Sequence, residues 1–183
     1  MEKFYILAKR LADAFDQSGV DYAFTGALAV SFYGTPRTTS DVDLMVAVSS
    51  KTEVKRKVAE ALRKAGLNVE ECRIDDALTS GYNIATFRDK TSAYKVDVIF
   101  QAGTLEKQPA TVAGVETFLQ KPEGLVLAKL RMIKATVLRE RAVKDEDDVK
   151  AILAFTKVDL AAVKRQAKKE GTLEIFQALK DNE

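Results

Sequence analysis

Asp41 and Asp43 stand two residues apart at the start of the apolar run Val42, Leu44, Met45, Val46. On a strand, side chains alternate between faces, so the two carboxylates point the same way. Neighbouring carboxylates repel and raise each other's pKa, and such a pair persists best with a cation between its members or a shared proton. The plainer alternative is a pair of solvated turn residues at a strand entrance. A third carboxylate, Asp97, lies inside Tyr94-Lys-Val-Asp-Val-Ile-Phe100. A charge in so apolar a run is costly unless it is paired or bound to a cation. If the two strands are neighbours, three carboxylates share one face, a set able to hold two divalent ions roughly 3.5 to 4 Å apart for phosphoryl or nucleotidyl transfer. For Asp97 alone, an ion pair with Lys95 on the same face is the competing explanation.

Composition narrows the chemistry. The 183 residues contain no histidine and one cysteine, Cys72. Without histidine, Ser-His-Asp hydrolases, papain-like proteases and His-based zinc sites are excluded. A single cysteine excludes an internal disulfide and a multi-thiolate zinc site. Carboxylates, lysines, hydroxyls and an oxygen-ligated ion, Mg²⁺ or Mn²⁺, are what remains. The net charge is +2, and the basic excess is concentrated in residues 121 to 169, which could attract phosphates or could equally be solvated helix faces. Phe4, Leu7, Ala8, Leu11 and Phe15 recur at helical spacing between charges, so the N-terminus predicts an amphipathic helix rather than a signal peptide or membrane span. A cytoplasmic protein without membrane contact is the expectation.

The elements that must position the carboxylates can be read in order. Asp21 to Thr25 predicts a short strand stopped by Gly26, and Ala27 to Tyr33 a short helix. Gly34, Pro36 and Thr38-Thr39-Ser40 form a loop into the strand of Asp41 and Asp43. Thr52 to Ala65 predicts a helix closed by Gly66. Asn68 to Ile74, Tyr82 to Arg88 and Lys95 to Phe100 have strand character, and their spacing predicts an antiparallel portion. From Pro122 onward the pattern is helical: Pro122 to Leu138, Lys144 to Phe155, Asp159 to Lys169 and Thr172 to Leu179. The expected fold is α/β (α+β), a mixed sheet flanked by helices over residues 1 to 120, with a C-terminal helical region, residues 121 to 183, packing on that core.

These residues resemble the DNA polymerase beta-like nucleotidyltransferases, whose signature is a strand ending in Gly-Gly or Gly-Ser, a short helix, Asp-x-Asp or Asp-x-Glu on the next strand and an Asp on a later one. Gly26, Asp41, Asp43 and Asp97 match it. The run Gly34-Thr-Pro-Arg37-Thr-Thr39-Ser-Asp41-Val-Asp43 is similar to the Gly-x-Pro-Arg-x-Thr-x-Asp-x-Asp of small bacterial and archaeal members, including toxin components of abortive-infection and toxin–antitoxin systems. Pro122-Glu123, Lys129-Leu130 and Lys144-Asp145-Glu-Asp-Asp148 resemble further elements of such proteins, so the likeness runs from Tyr22 to Leu153. One departure is Ala27, where relatives carry glycine or serine. Alanine keeps a backbone N–H at a helix N-terminus but loses the hydroxyl.

The resemblance implies a nucleotidyltransferase fold that moves an NMP from an NTP to an acceptor hydroxyl, the NTP lying between two lobes. It implies Asp41, Asp43 and Asp97 as catalytic residues and ligands of Mg²⁺ or Mn²⁺, and Gly26, Ala27, Ser40, Arg37 and Lys129 as nucleotide-binding residues. RNA such as a tRNA end, or a protein, is the implied acceptor, and a cognate antitoxin or other partner protein is implied for toxin-type relatives. The alternative is a non-catalytic, antitoxin-like binding module on the same fold. Lys129 has an independent argument: its helical neighbours Leu125, Val126, Met132 and Ile133 are apolar, so its ammonium needs an anion, a triphosphate or a core carboxylate, or must snorkel to water. For Arg37, phosphate and a structural acid are equal prospects.

Overall fold

In a computed structural model, which describes residues 2–112 and 114–180, the fifteen elements run α1 (Glu2–Ser18), β1 (Tyr22–Phe24), α2 (Gly26–Tyr33), β2 (Asp41–Val48), α3 (Lys51–Lys64), β3 (Leu67–Asn68), α4 (Glu71–Thr79), β4 (Ile84–Asp89), β5 (Lys95–Ala102), β6 (Lys107–Val112), β7 (Val115–Gln120), α5 (Pro122–Ala135), α6 (Arg139–Phe155), α7 (Leu160–Glu170) and α8 (Leu173–Lys180). They fall into two compact units. The first comprises Met1–Leu28 and Thr38–Gln120, the second Ala29–Arg37 and Lys121–Glu183. Residues 29–37 thus belong with the helical unit.

The first unit is built on a seven-stranded mixed sheet of order β3-β4-β5-β2-β1-β7-β6. β2 and β5 run parallel in register over eight pairs, from Asp41 opposite Lys95 to Val48 opposite Ala102. β4 is antiparallel to β5, and β1 is antiparallel to β2 and parallel to β7. Val42, Leu44 and Val46 of β2, Val96 and Val98 of β5, and Ala85 and Phe87 of β4 are buried. That alternation gives the three strands one apolar face and leaves Asp41, Asp43, Lys95, Asp97, Thr86 and Arg88 on the other, followed along it by Met45, Ile99 and Ile84. α1 meets the apolar face, since its Arg10 donates to the buried carboxylate of Asp89, the next inward residue of β4, at 2.7 Å. α3 carries its buried stripe Val54, Val58, Ala61, Leu62 against α1, starts on a Ser50 side-chain cap and is followed by Gly66 at φ +86°.

In the second unit α5 packs on α6, α7 and α8. Pro122 opens α5 at its first turn, Asp159 caps α7 by accepting from the Ala162 N–H, and Gly171 ends α7 in the left-handed conformation. No described helix is long and apolar enough to cross a membrane.

Two stretches depart from the expectation. Asn68 to Ile74 is not a strand: pairing stops at Asn68, and α4 begins at Glu71. Ile74 and Ala77, three apart, are its buried residues, and Glu70, Glu71 and Arg73 are exposed around them, a helical stripe rather than an alternation. The β6–β7 hairpin was not anticipated, because Pro109 and the polar residues of β6 argue against a strand; β6 is an edge strand, where proline is tolerated.

Candidate active site

Strand register brings the three predicted carboxylates to one face. Asp41 and Asp43 alternate with the buried Val42 and Leu44, and Asp43 lies directly opposite Asp97 across the parallel β2–β5 pair. On the far side of β5, Thr86 of β4 faces Asp97 and donates its hydroxyl to Oδ1 at 2.6 Å. The row Thr86, Asp97, Asp43 therefore crosses three strands, and the adjacent row Arg88, Lys95, Asp41 runs beside it. Thr86 was not identified in the sequence. Its signal is the parity it shares with Arg88 on β4, which becomes meaningful only once the register is known.

Gly26 completes the carboxylate side. It starts α2 at φ +58°, and a Cβ placed on it would lie 1.9 Å from Oδ2 of Asp43. Glycine is needed there both for the left-handed backbone and for the close approach. The Thr25 N–H donates to the Asp43 carbonyl at 3.0 Å, and the Thr25 hydroxyl to Oε1 of Gln120 at 2.5 Å, so the turn into α2 is fixed from both sides. Ala27 is buried in the first turn of this eight-residue helix. Ser40 is exposed and donates to Oδ2 of Asp41 at 2.9 Å, while Thr39 brackets the Asp41 backbone by donating to its carbonyl and accepting from its N–H.

Oδ1 of Asp41 is buried and lacks a hydrogen-bond partner. A buried carboxylate oxygen without a donor is costly, and a cation is one remedy. Among the described residues no three acidic or thiol side chains stand close enough to form a ready-made ligand group, so the three aspartates share a face without closing around one point. The donors available are all oxygens, the set that suits Mg²⁺ or Mn²⁺. The orphaned Asp41 oxygen and the carboxylates of Asp43 and Asp97 on the same face fit such an ion.

The two cations assigned to phosphate from the sequence lie in the second unit, and each meets carboxylate there. Lys129 is buried and its Nζ is 2.8 Å from both Oδ1 of Asp145 and Oδ2 of Asp148. Arg37 pairs with the same Oδ2 of Asp148. Of the prospects open for these residues, the structure displays the pairing with core acids. Tyr33, at the end of α2, is buried, and burial together with the charge of Glu123 holds its phenol well above the ordinary range, keeping it neutral.

No family profile and no curated protein matches this sequence. Solved structures do. The antibiotic-resistance factor ANT(2'')-Ia, in its solution structure, aligns with a TM-score of 0.63 at 11% identity over 97% of this chain and 94% of its own. An antigenic nucleotidyltransferase-like protein from Paracoccidioides brasiliensis aligns with a TM-score of 0.58 at 18% identity over 97% of this chain and 91% of its own. The lincosamide antibiotic adenylyltransferase LnuA, in its lincomycin-bound crystal structure, gives 0.51 at 16% identity over 82% of this chain and 96% of its own. The chain thus has a nucleotidyltransferase fold.

Proposed function

We propose that the protein is a metal-dependent nucleotidyltransferase. The observation that carries this reading is the β2–β5 register, which sets Asp43 beside Asp97 with Asp41 on the same face and Gly26 against Asp43. Asp41, Asp43 and Asp97 would hold Mg²⁺ or Mn²⁺, which when bound offsets the charge of the triphosphate and favours ionisation of an acceptor hydroxyl. Asp97 accepts that hydroxyl's proton, while Thr86 holds the carboxylate through its other oxygen. The acceptor oxygen forms a bond to the α-phosphorus as the α–β anhydride bond breaks, and pyrophosphate leaves. The N-terminus of α2, at Gly26 and Ala27, would favour phosphate through the helix dipole, and Ser40 orients Asp41.

For the acceptor, the basic excess of residues 121 to 169 favours an RNA end, with a protein hydroxyl next. A second reading, a small-molecule acceptor, is favoured by the structures of ANT(2'')-Ia with adenylyl-2''-tobramycin and of LnuA with lincomycin.

The test is incubation with each α-labelled NTP and Mg²⁺ in the presence of total RNA, cell protein, or aminoglycosides and lincosamides, for the wild type and for Asp41→Asn and Asp43→Asn. Label transfer by the wild type and loss of about 10²-fold or more in either variant, the scale of a removed transition-state charge interaction, is expected. Both variants should remain folded with unchanged or higher Tm in the absence of metal, because like-charge repulsion is relieved. NTP binding without label on any acceptor would leave a non-catalytic binding module.

A further inference from the structure

Two sequence motifs, Gly-x-Pro-Arg and Lys-Asp-x-x-Asp, meet in the second unit. Gly34 lies so close to α6 that a Cβ on it would be 2.9 Å from the Ala151 Cβ and 3.0 Å from the Ala151 carbonyl carbon. One helical turn earlier on α6, Asp148 receives Arg37. Just past the end of the same helix, the Thr156 hydroxyl donates to the Tyr33 carbonyl at 2.6 Å. The Arg37 N–H in turn donates to Oγ of Ser31 at 3.1 Å. Residues 33 to 37 are therefore fastened at three points, two on α6 and one just past its end, and the fastening ends four residues before Asp41.

The charges of this cluster balance. Asp145 and Asp148 are three apart on α6 and would repel on one helix face. Lys129 answers both, and Arg37 adds a second cation at Asp148. The side chains of Lys129, Asp145 and Asp148 are 7%, 9% and 6% exposed, so the pairing is barely screened by water. Lys129 and Asp145 alone would satisfy each other. What Asp148 adds is a receptor for Arg37, and hence for the loop.

We infer that Asp148 is the anchor of the loop that precedes Asp41: by holding Arg37 it fixes residues 33 to 37 within the second unit, up to the point where the segment Thr38 to Ser40 begins. The fastening is independent of the proposed function.

The test uses the full chain and compares Asp148→Asn, Arg37→Gln, their double variant and Asp145→Asn. Amide hydrogen exchange over residues 35 and 37 to 42 and Mg·ATP affinity by calorimetry are both measured. Loss of one charge-assisted hydrogen bond should speed exchange in that segment by about tenfold in Asp148→Asn and in Arg37→Gln, with the double variant no worse than either. Asp145→Asn, which leaves the Arg37 contact in place, should lower Tm without that local change. Should Asp148→Asn fail to fold, Arg37→Gln, which leaves both carboxylates beside Lys129, decides the question. Unchanged exchange in a folded Arg37→Gln, or the same local change in Asp145→Asn, would overturn the inference. Faster exchange with no Mg·ATP binding by the wild type would retain the fastening and sink the nucleotidyltransferase reading with ATP as donor, so the two failures are distinguishable.

Discussion

At the scale of single residues, Gly26 makes the sharpest demand on the sequence. A methyl group there would collide with Asp43 Oδ2 and would also hold an L-residue at φ +58°, a left-handed conformation that costs about 1–2 kcal/mol by itself. Gly26→Ala should therefore lower stability by more than that conformational share and displace Asp43, abolishing metal-dependent NTP binding. The excess should shrink when Asp43 is also replaced by Ala, because the collision is gone; urea melts of the four variants measure the coupling. An equal cost in both backgrounds would make Gly26 a helix-start glycine and nothing more. The residues themselves were legible in advance, because Asp41, Asp43 and Asp97 sit where charge is expensive. Their partners were not. Thr86 and the Arg37–Asp148 pair, 111 positions apart in sequence, depend on register and tertiary contact that no local pattern encodes.

Among elements, β4 and α1 are tied by Asp89, whose side chain is 1% exposed. Burial alone would raise its pKa, but hydrogen bonds from Ser92, Arg10 and Thr91 and the charge of Arg10 outweigh it and hold the carboxyl below its ordinary range. A depressed folded-state pKa contributes stability that is fully present above the unfolded value, near about 3.9 for aspartate. That stability is lost as pH falls through the lower folded value. Asp89→Asn should thus cost about 3 kcal/mol at pH 7, where it strands the Arg10 charge. The gap to the wild type should begin to narrow below about pH 4, where the carboxyl of the unfolded chain starts to take up protons, and should shrink further as pH falls through the lower folded value. Urea melts at pH 7 and at pH 3 provide the comparison; a gap that stays constant would assign the stability to packing. Element identity was mostly readable, since β2, β5, α1, α3 and the four rear helices follow their periodicities within a few residues. α6 begins at Arg139, five residues before the expected Lys144, and α5 ends at Ala135 rather than Leu138. The error at Asn68 to Ile74 arose because Val69 and Ile74 are β-branched, while the helix there is selected by burial of Ile74 and Ala77.

Across the whole molecule, the charge distribution bears on the acceptor. A polyanion attracted by the basic excess of residues 121 to 169 releases counterions on binding, so RNA affinity should fall steeply and log-linearly with salt. A small neutral or amine-bearing acceptor should show at most a shallow dependence. Labelled-RNA binding measured between 50 mM and 200 mM salt distinguishes them, with a loss on the order of tenfold or more expected for several phosphate contacts. The sheet order carries a different consequence. β2 and β5 match over eight pairs with acids and lysine confined to one face and Val42, Leu44, Val96 and Val98 to the other. Sliding β5 by one residue would turn Asp97 and Lys95 into the apolar layer, because side-chain direction reverses with each step. The aspartates proposed for chemistry thus double as proofreading marks during assembly, making a misaligned sheet too costly to persist.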